Sequence, residues 1–177
     1  MNKKQKGFVL WFTGLPCSGK STIANGVYDI LKKEGYCVER LDGDEIRKHV
    51  SKDLGFSKED RSENIKRTTF IAQLLNRNNI GVIASFVSPY QETRRYARNN
   101  TLNFIEIYLN TPLETCEKRD TKNLYKKARE GQISNFTGIS DPYEKPENPE
   151  ITLDGNKKSP VERIKEVVDY LKINLLK

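Results

Sequence analysis

The run Gly14-Leu15-Pro16-Cys17-Ser18-Gly19-Lys20-Ser21-Thr22 brings two glycines, a lysine and adjacent hydroxyls together directly after a short apolar segment. Glycines at this spacing let the backbone turn tightly, so that amide N–H groups and the start of the following helix face a bound anion. Lys20 would reach the outer phosphates of a nucleoside triphosphate and the Ser21 hydroxyl would bind its Mg²⁺. Cys17 sits in the loop by position and reads as a packing residue. The chemistry implied is the handling of a triphosphate.

Such a loop serves switches, motors and small-molecule kinases alike. No NKxD guanine-reading motif occurs, no convincing DxxG follows, and the strand-like Gly81-Val82-Ile83-Ala84-Ser85 carries no terminal acid. A switch GTPase or motor ATPase is therefore disfavoured. Between Asp120 and Glu150 the pattern turns basic and then Gly/Pro-rich, with Lys122, Lys126, Lys127 and Arg129 followed by Gly131, Gly138, Pro142, Pro146 and Pro149. That composition argues against a buried strand and for a short basic helix plus a long ordered loop, a lid over residues 120–150. Closure of a lid excludes water from a transferring phosphoryl group, which suits an ATP-dependent kinase. Lone His49 reads as an ordinary helix residue.

The elements that must position these residues alternate. Gly7 to Thr13 is almost wholly apolar, as in a strand covered on both faces. Ile23, Val27, Ile30 and Leu31 recur at helical spacing from Lys20 to Glu34, and Gly35 stops that helix. Tyr36 to Leu41 reads as the next strand, opening into a loop at Asp42-Gly43-Asp44. Ser57 with Asp60 resembles a capping box for a helix through Glu63 to Asn76. Strand Gly81 to Ser85 follows, then a helix begun by Pro89 and running through Arg98. Asn103 to Leu109 is a further strand, and Thr111-Pro112 caps a helix to about Arg119. Ile151 to Leu153 is a last strand, and Ser159-Pro160 starts a helix with Val161, Ile164, Val167, Val168 and Leu171 inward. The class predicted is α/β, a P-loop NTPase-like kinase with a mainly parallel central sheet flanked by helices and a basic lid.

A length of 177 residues fits one domain, 1–177. The start, Met1 to Lys6, leads into only about six apolar residues before Gly14, too few for a secretory or membrane-spanning segment. Cys17, Cys37 and Cys116 show no metal or disulfide spacing, so a cytoplasmic setting is expected. The net charge of +7 allows nucleic acid or small polyanions as partners. Its concentration near kinase motifs, with no recognisable nucleic-acid-reading module, makes nucleic acid unlikely and favours the polyanion.

Several separated segments, in order, closely resemble the adenylylsulfate kinase (APS kinase) family: Leu41-Asp42-Gly43-Asp44-Glu45-Ile46-Arg47, Gly55-Phe56-Ser57 through Arg61-Ser62-Glu63-Asn64, Ser85-Phe86-Val87-Ser88-Pro89-Tyr90, Lys122 to Arg129, Phe136-Thr137-Gly138-Ile139 and Asp141-Pro142-Tyr143-Glu144. The resemblance spans Gly7 to the final helix. It implies transfer of the γ-phosphoryl group of ATP to the 3′-hydroxyl of adenosine 5′-phosphosulfate (APS), giving PAPS and ADP in sulfate activation.

The resemblance also implies roles. Arg47, Arg61 and Lys126 suit the phosphate-sulfate anhydride, with Asn64 and Asp44 in the same substrate site. Phe56 and Phe136 would sandwich the acceptor adenine, although Phe56 without the family match reads as core. Arg119 would lie near the donor nucleotide. Asp42 either takes the acceptor proton or organises Mg²⁺-bound water, while an Asx turn shaping its loop is the plain alternative. Ser88 matches a serine associated with a phosphoserine intermediate, but direct transfer needs none, and Ser88-Pro89 also fits a helix cap and first turn. Asn123 and Ser140 depart from the family pattern, where Gly and a more acidic residue are frequent. A homodimer is the implied assembly.

Overall fold

A computed structural model describes residues 5–176, so Met1 to Lys4 of the N-terminal run, and Lys177, lie outside the described residues. Among these residues, strands β1 (Val9–Thr13), β2 (Val38–Asp42), β3 (Gly81–Ser85), β4 (Phe104–Asn110) and β5 (Ile151–Asp154) form one sheet in the order β2-β3-β1-β4-β5, with all neighbouring pairs parallel. Parallel strands need crossovers, and helices supply them: α1 (Lys20–Lys33), α2 (Gly43–His49), α3 (Lys58–Arg77), α4 (Gln91–Asn99), α5 (Leu113–Lys118) and α6 (Leu124–Arg129), while α7 (Pro160–Asn174) follows the last strand and packs beside α1.

The period of two along β1 divides the core. Phe8, Leu10 and Phe12 join Ile23, Val27 and Leu31 of α1 and Val167 and Leu171 of α7 on one face. Val9 and Trp11 join Ile65 and Ala72 of α3 and Ala97 of α4 on the other. The helices that follow β1 and β3 thus cover opposite faces, although these strands are neighbours. The connections leaving their C-terminal ends therefore diverge to opposite faces and open a crevice, the usual place for a ligand in such a sheet. Register finishes the placement: Phe12 and Asp42 both pair with Ser85, so the ends of β1, β2 and β3 stand level.

Several local expectations are corrected. Asp42-Gly43-Asp44 is the start of helix α2, with Asp42 as its cap, where a loop was expected. Helix α4 begins at Gln91 instead of Pro89. The Ser88 side chain is buried, and the first α4 amide is capped by the Glu144 carboxylate, which accepts from Gln91 N at 2.6 Å. Helix α5 begins at Leu113, while Thr111 turns its hydroxyl to the Ser18 carbonyl at 3.1 Å. Val161 is 74% exposed, and Arg163 takes the inward place beside Val167, Val168 and Leu171. The Ser57 capping box, the Ser159-Pro160 start and the Gly35 stop are present as expected.

Residues 120–150 form α6 and an irregular segment whose Tyr125, Ala128 and Phe136 cluster with Cys116 of α5, and Leu15 and Cys17 pack against them. The Tyr125 hydroxyl donates to the Pro16 carbonyl at 2.9 Å, tying α6 to the glycine loop. Farther along, buried Arg94 holds the Glu106 carboxylate at 2.7 Å, the Ser88 carbonyl at 2.6 Å and the Glu144 carbonyl at 2.7 Å. Arg98 binds Glu150 through both carboxylate oxygens, at 2.6 and 2.8 Å. The second half of this segment is thereby clamped to β4 and α4.

Candidate active site

The loop after β1 encloses a cradle that only its own residue types allow. Gly14 has φ +153° and Gly19 +97°, and a side chain on Gly14 would lie 3.0 Å from both the Leu109 carbonyl and the Ser18 hydroxyl. Buried Lys20 turns its ammonium onto the Gly14 and Leu15 carbonyls at 3.0 and 2.7 Å. Burial lowers its pKa to about 8, so the charge persists at neutral pH and would gain from a nearby phosphate. Burial, with Asp120 second, raises the Cys17 thiol, which suits packing over nucleophilic chemistry.

A cavity of about 360 Å³ opens on Lys20 and Ser21 and runs across the sheet ends to Asp44, Arg47, Phe56 and Arg61. Asp42 lies at its floor. Its Oδ2 accepts from Ser85 (2.9 Å), Ser21 (3.0 Å) and Arg40 (3.1 Å), while Oδ1 accepts from the Asp44 amide at 3.0 Å. Burial works to raise the Asp42 pKa, but the hydrogen bonds from Ser85, Asp44 and Ser21 and the Arg40 charge outweigh it and hold the carboxyl below its ordinary value. An ionised carboxylate with this many donors is a weak proton acceptor. Arg40 escaped the sequence reading, though its place two residues before Asp42, on the same side of β2, was a usable signal.

The end of the cavity away from Lys20 is built mainly from α2 and α3. Arg47 lies 4.3 Å and Arg61 5.5 Å from the Phe56 ring centre, and Phe56 itself is 55% exposed. Arg47 donates to the Gly55 carbonyl at 2.7 Å, and Arg61 donates to the Phe56 carbonyl at 3.0 Å and to the Asn135 carbonyl. Burial lowers the pKa of both arginines, with their mutual repulsion second for Arg47. Asn64 is buried with no hydrogen-bond partner at Oδ1 among the described residues, a free acceptor at the cavity wall. Val87, from the Ser85–Tyr90 segment, and Asp120 and Thr121, at the start of segment 120–150, also line this space, although none was singled out as a site residue from the sequence.

Other expected residues lie elsewhere. Phe136 is packed edge-on against Tyr125 at 4.9 Å and does not line the cavity, so the structure holds no sandwich with Phe56. Lys126 is exposed beside Glu130, outside the cavity. Pro16 and Cys17 line it, Ser18 is buried beneath the loop, and Gly19 and Thr22 face a second cavity behind the loop together with Arg119. Ser88 lines the first cavity in a left-handed conformation, φ +39°. Its hydroxyl accepts from the Trp11 indole at 3.1 Å and donates to Thr13 at 3.0 Å, and among the described residues no basic side chain hydrogen-bonds to it. Asn123 has φ +53°, a conformation Asn tolerates and Gly adopts freely, and the Ser140 hydroxyl accepts from the Phe136 amide at 2.8 Å.

A phosphate loop with an adjoining anion-receptive pocket, at the switch point of a parallel sheet, defines a P-loop phosphotransferase. Residues 6–154 match the family model for adenylylsulphate kinase. The chain belongs to the adenylylsulfate kinase family. An adenylyl-sulfate kinase from Halothermothrix orenii is 53% identical over 169 residues, covering 96% of this chain and 91% of that protein. A probable adenylyl-sulfate kinase from Pseudomonas aeruginosa is 54% identical, covering 92% and 76%. The APS kinase of Mycobacterium tuberculosis, solved in complex with AMPPNP and APS, is 42% identical with a TM-score of 0.91, covering 95% of this chain and 99% of that one.

Proposed function

We propose that this chain catalyses the ATP-dependent phosphorylation of the 3′-hydroxyl of APS, forming PAPS and ADP, in sulfate activation. The observation that carries the reading is the meeting of the Lys20–Ser21 cradle with the Asp44, Arg47, Phe56, Arg61 and Asn64 wall in one cavity. The two arginines offer planar donors for the phosphate-sulfate anhydride, and Phe56 offers a ring face to the purine. The kinship with a structure solved with AMPPNP and APS supports both substrates.

In the proposed reaction, loop amides and Lys20 hold the outer phosphates of ATP. The acceptor wall aligns the 3′-hydroxyl for in-line attack, so the O–P bond to the acceptor forms as the bond to ADP breaks and the acceptor proton passes to solvent water. Ser21 and Asp42 fit a magnesium site made of few protein oxygens completed by phosphate and water. Mg²⁺ there would draw charge from the γ-phosphoryl oxygens. Depressed basicity favours Asp42 as an organiser of that site over a proton acceptor. Ser88, locked between Trp11 and Thr13, supports direct transfer over a phosphoserine intermediate. Arg119 serves the donor side. Phe136 and Lys126 act only if the lid, residues 120–150 of a single domain 1–177, rearranges around bound substrate. A cytoplasmic homodimer completes the reading.

The test is product formation by purified protein with Mg-ATP and a panel of APS, shikimate, gluconate and nucleoside monophosphates. PAPS is expected from APS alone. Turnover of another acceptor with no PAPS would overturn the assignment.

A further inference from the structure

Behind the glycine loop, a second cavity of about 430 Å³ is lined by Gly19, Thr22, Arg119, Gly155 and the segment leading into α7. Its cations differ in how they are satisfied. Arg119 donates to the Gly155 carbonyl at 2.9 Å, Lys158 pairs with Glu166 at 2.6 Å and Lys157 lies 3.9 Å from Asp154. Arg163 has no such partner among the described residues. It is 4% exposed, touches the Ser159 carbonyl at 3.4 Å through Nε, and leaves Nη1 buried without a hydrogen-bond partner among the described residues. The carboxylate facing it, Asp154, is engaged by the Asn156 and Lys157 amides, and the nearby Arg119 charge repels it.

A buried donor left unmade costs stability, and more when it is charged. That arrangement is sensible where a ligand completes it. Arg163 Nη1 stands 3.8 Å from where a side-chain carbon on Gly19 would be, at the outer side of the loop. Lys20 and Ser21, which suit the outer phosphates, line the other cavity. A triphosphate seated on the loop would therefore extend its nucleoside half toward Arg163, and purine ring nitrogens and ribose oxygens are acceptors without charge.

We infer that Arg163 is a further binding residue for the donor: its free Nη1 donates to an acceptor atom on the nucleoside half of ATP, raising affinity for nucleotide over bare polyphosphate. This rests on the ATP reading above. The test is calorimetric titration of wild type and Arg163→Met with ATP and with inorganic tripolyphosphate, alongside thermal melting without ligand. The expected result is roughly ten-fold weaker ATP binding, unchanged tripolyphosphate binding, and an unliganded melting temperature equal to or above wild type. A purely structural arginine would lower the melting temperature and leave the ratio of the two affinities alone. That outcome, or equal losses for both ligands, overturns the inference. Should Arg163→Met not fold, the ratio is read from Arg163→Gln, where it must still fall. If wild-type protein binds no ATP, the functional reading itself fails, a result separable from a variant that binds ATP as wild type does.

Discussion

Asp42 and Ser88 lie in one cavity, yet their surroundings assign them opposite roles. Asp42 collects donors from three side chains and one amide and stays ionised, so its use is charge and geometry at the magnesium site proposed above. Ser88 is held between Trp11 and Thr13, and among the described residues no basic side chain hydrogen-bonds to its hydroxyl. Asp42→Asn should therefore lower kcat by about 100-fold or more, in line with losses of electrostatic stabilisation at reacting centres. Ser88→Ala should leave kcat within roughly ten-fold, since direct alignment needs no covalent step. Steady-state kinetics with APS and Mg-ATP check both. A Ser88→Ala loss as deep as that of Asp42→Asn, with stereochemical retention at phosphorus in the wild type, would restore the covalent route. Asp42 was legible because it ends a strand beside a glycine. The burial of Ser88 was not, because it depends on Trp11 and Thr13, more than 70 residues away.

Elements whose ends are set by neighbouring residues were readable in advance. The Ser57 capping box and the Ser159-Pro160 start of α7 carry their signals within a few residues. Helix α4 does not, because the group that caps it is Glu144, 53 residues farther on, and so Pro89 misled. In α7 a helical repeat alone cannot tell Val161 from Arg163 as the inward residue, since neighbouring positions share a turn. Packing against Gly19 and α1 decides for the arginine. At the start of α6, Asn123 sits at φ +53° as the N-terminal flanking residue. Asn123→Gly should be neutral or slightly stabilising, and Asn123→Ala should cost about 1 kcal/mol, because a Cβ without the Asn side chain is disfavoured there. Chemical denaturation of the two variants measures this. Equal stability of Ala and Gly would contradict it.

Across the whole molecule, the parallel sheet provides the site, and the segment of residues 120–150 borders it only at Asp120, Thr121, Lys122 and Leu124. Its first half rests on the glycine loop through Tyr125, while its second half is clamped by Arg94 and Arg98. Arg94→Ala leaves Glu106 buried with Arg98 as its remaining cation at 3.6 Å, and should lower unfolding free energy by about 3 kcal/mol. A loss below about 1 kcal/mol in urea denaturation would show that the clamp is dispensable. The mainly parallel sheet and the phosphate cradle were legible from local pattern, because a phosphate loop carries its chemistry in consecutive residues, whereas the strand order was not predicted. The acceptor wall needed several separated motifs to be read together, and the packing of Phe136 against Tyr125 needed the fold itself. The most direct test of the account is phosphorus NMR of purified protein turning over APS with Mg-ATP. The account predicts a new phosphomonoester signal at the 3′ position of a product that keeps its phosphate-sulfate anhydride, in step with ADP. ATP consumed to inorganic phosphate, with APS unchanged, would contradict it.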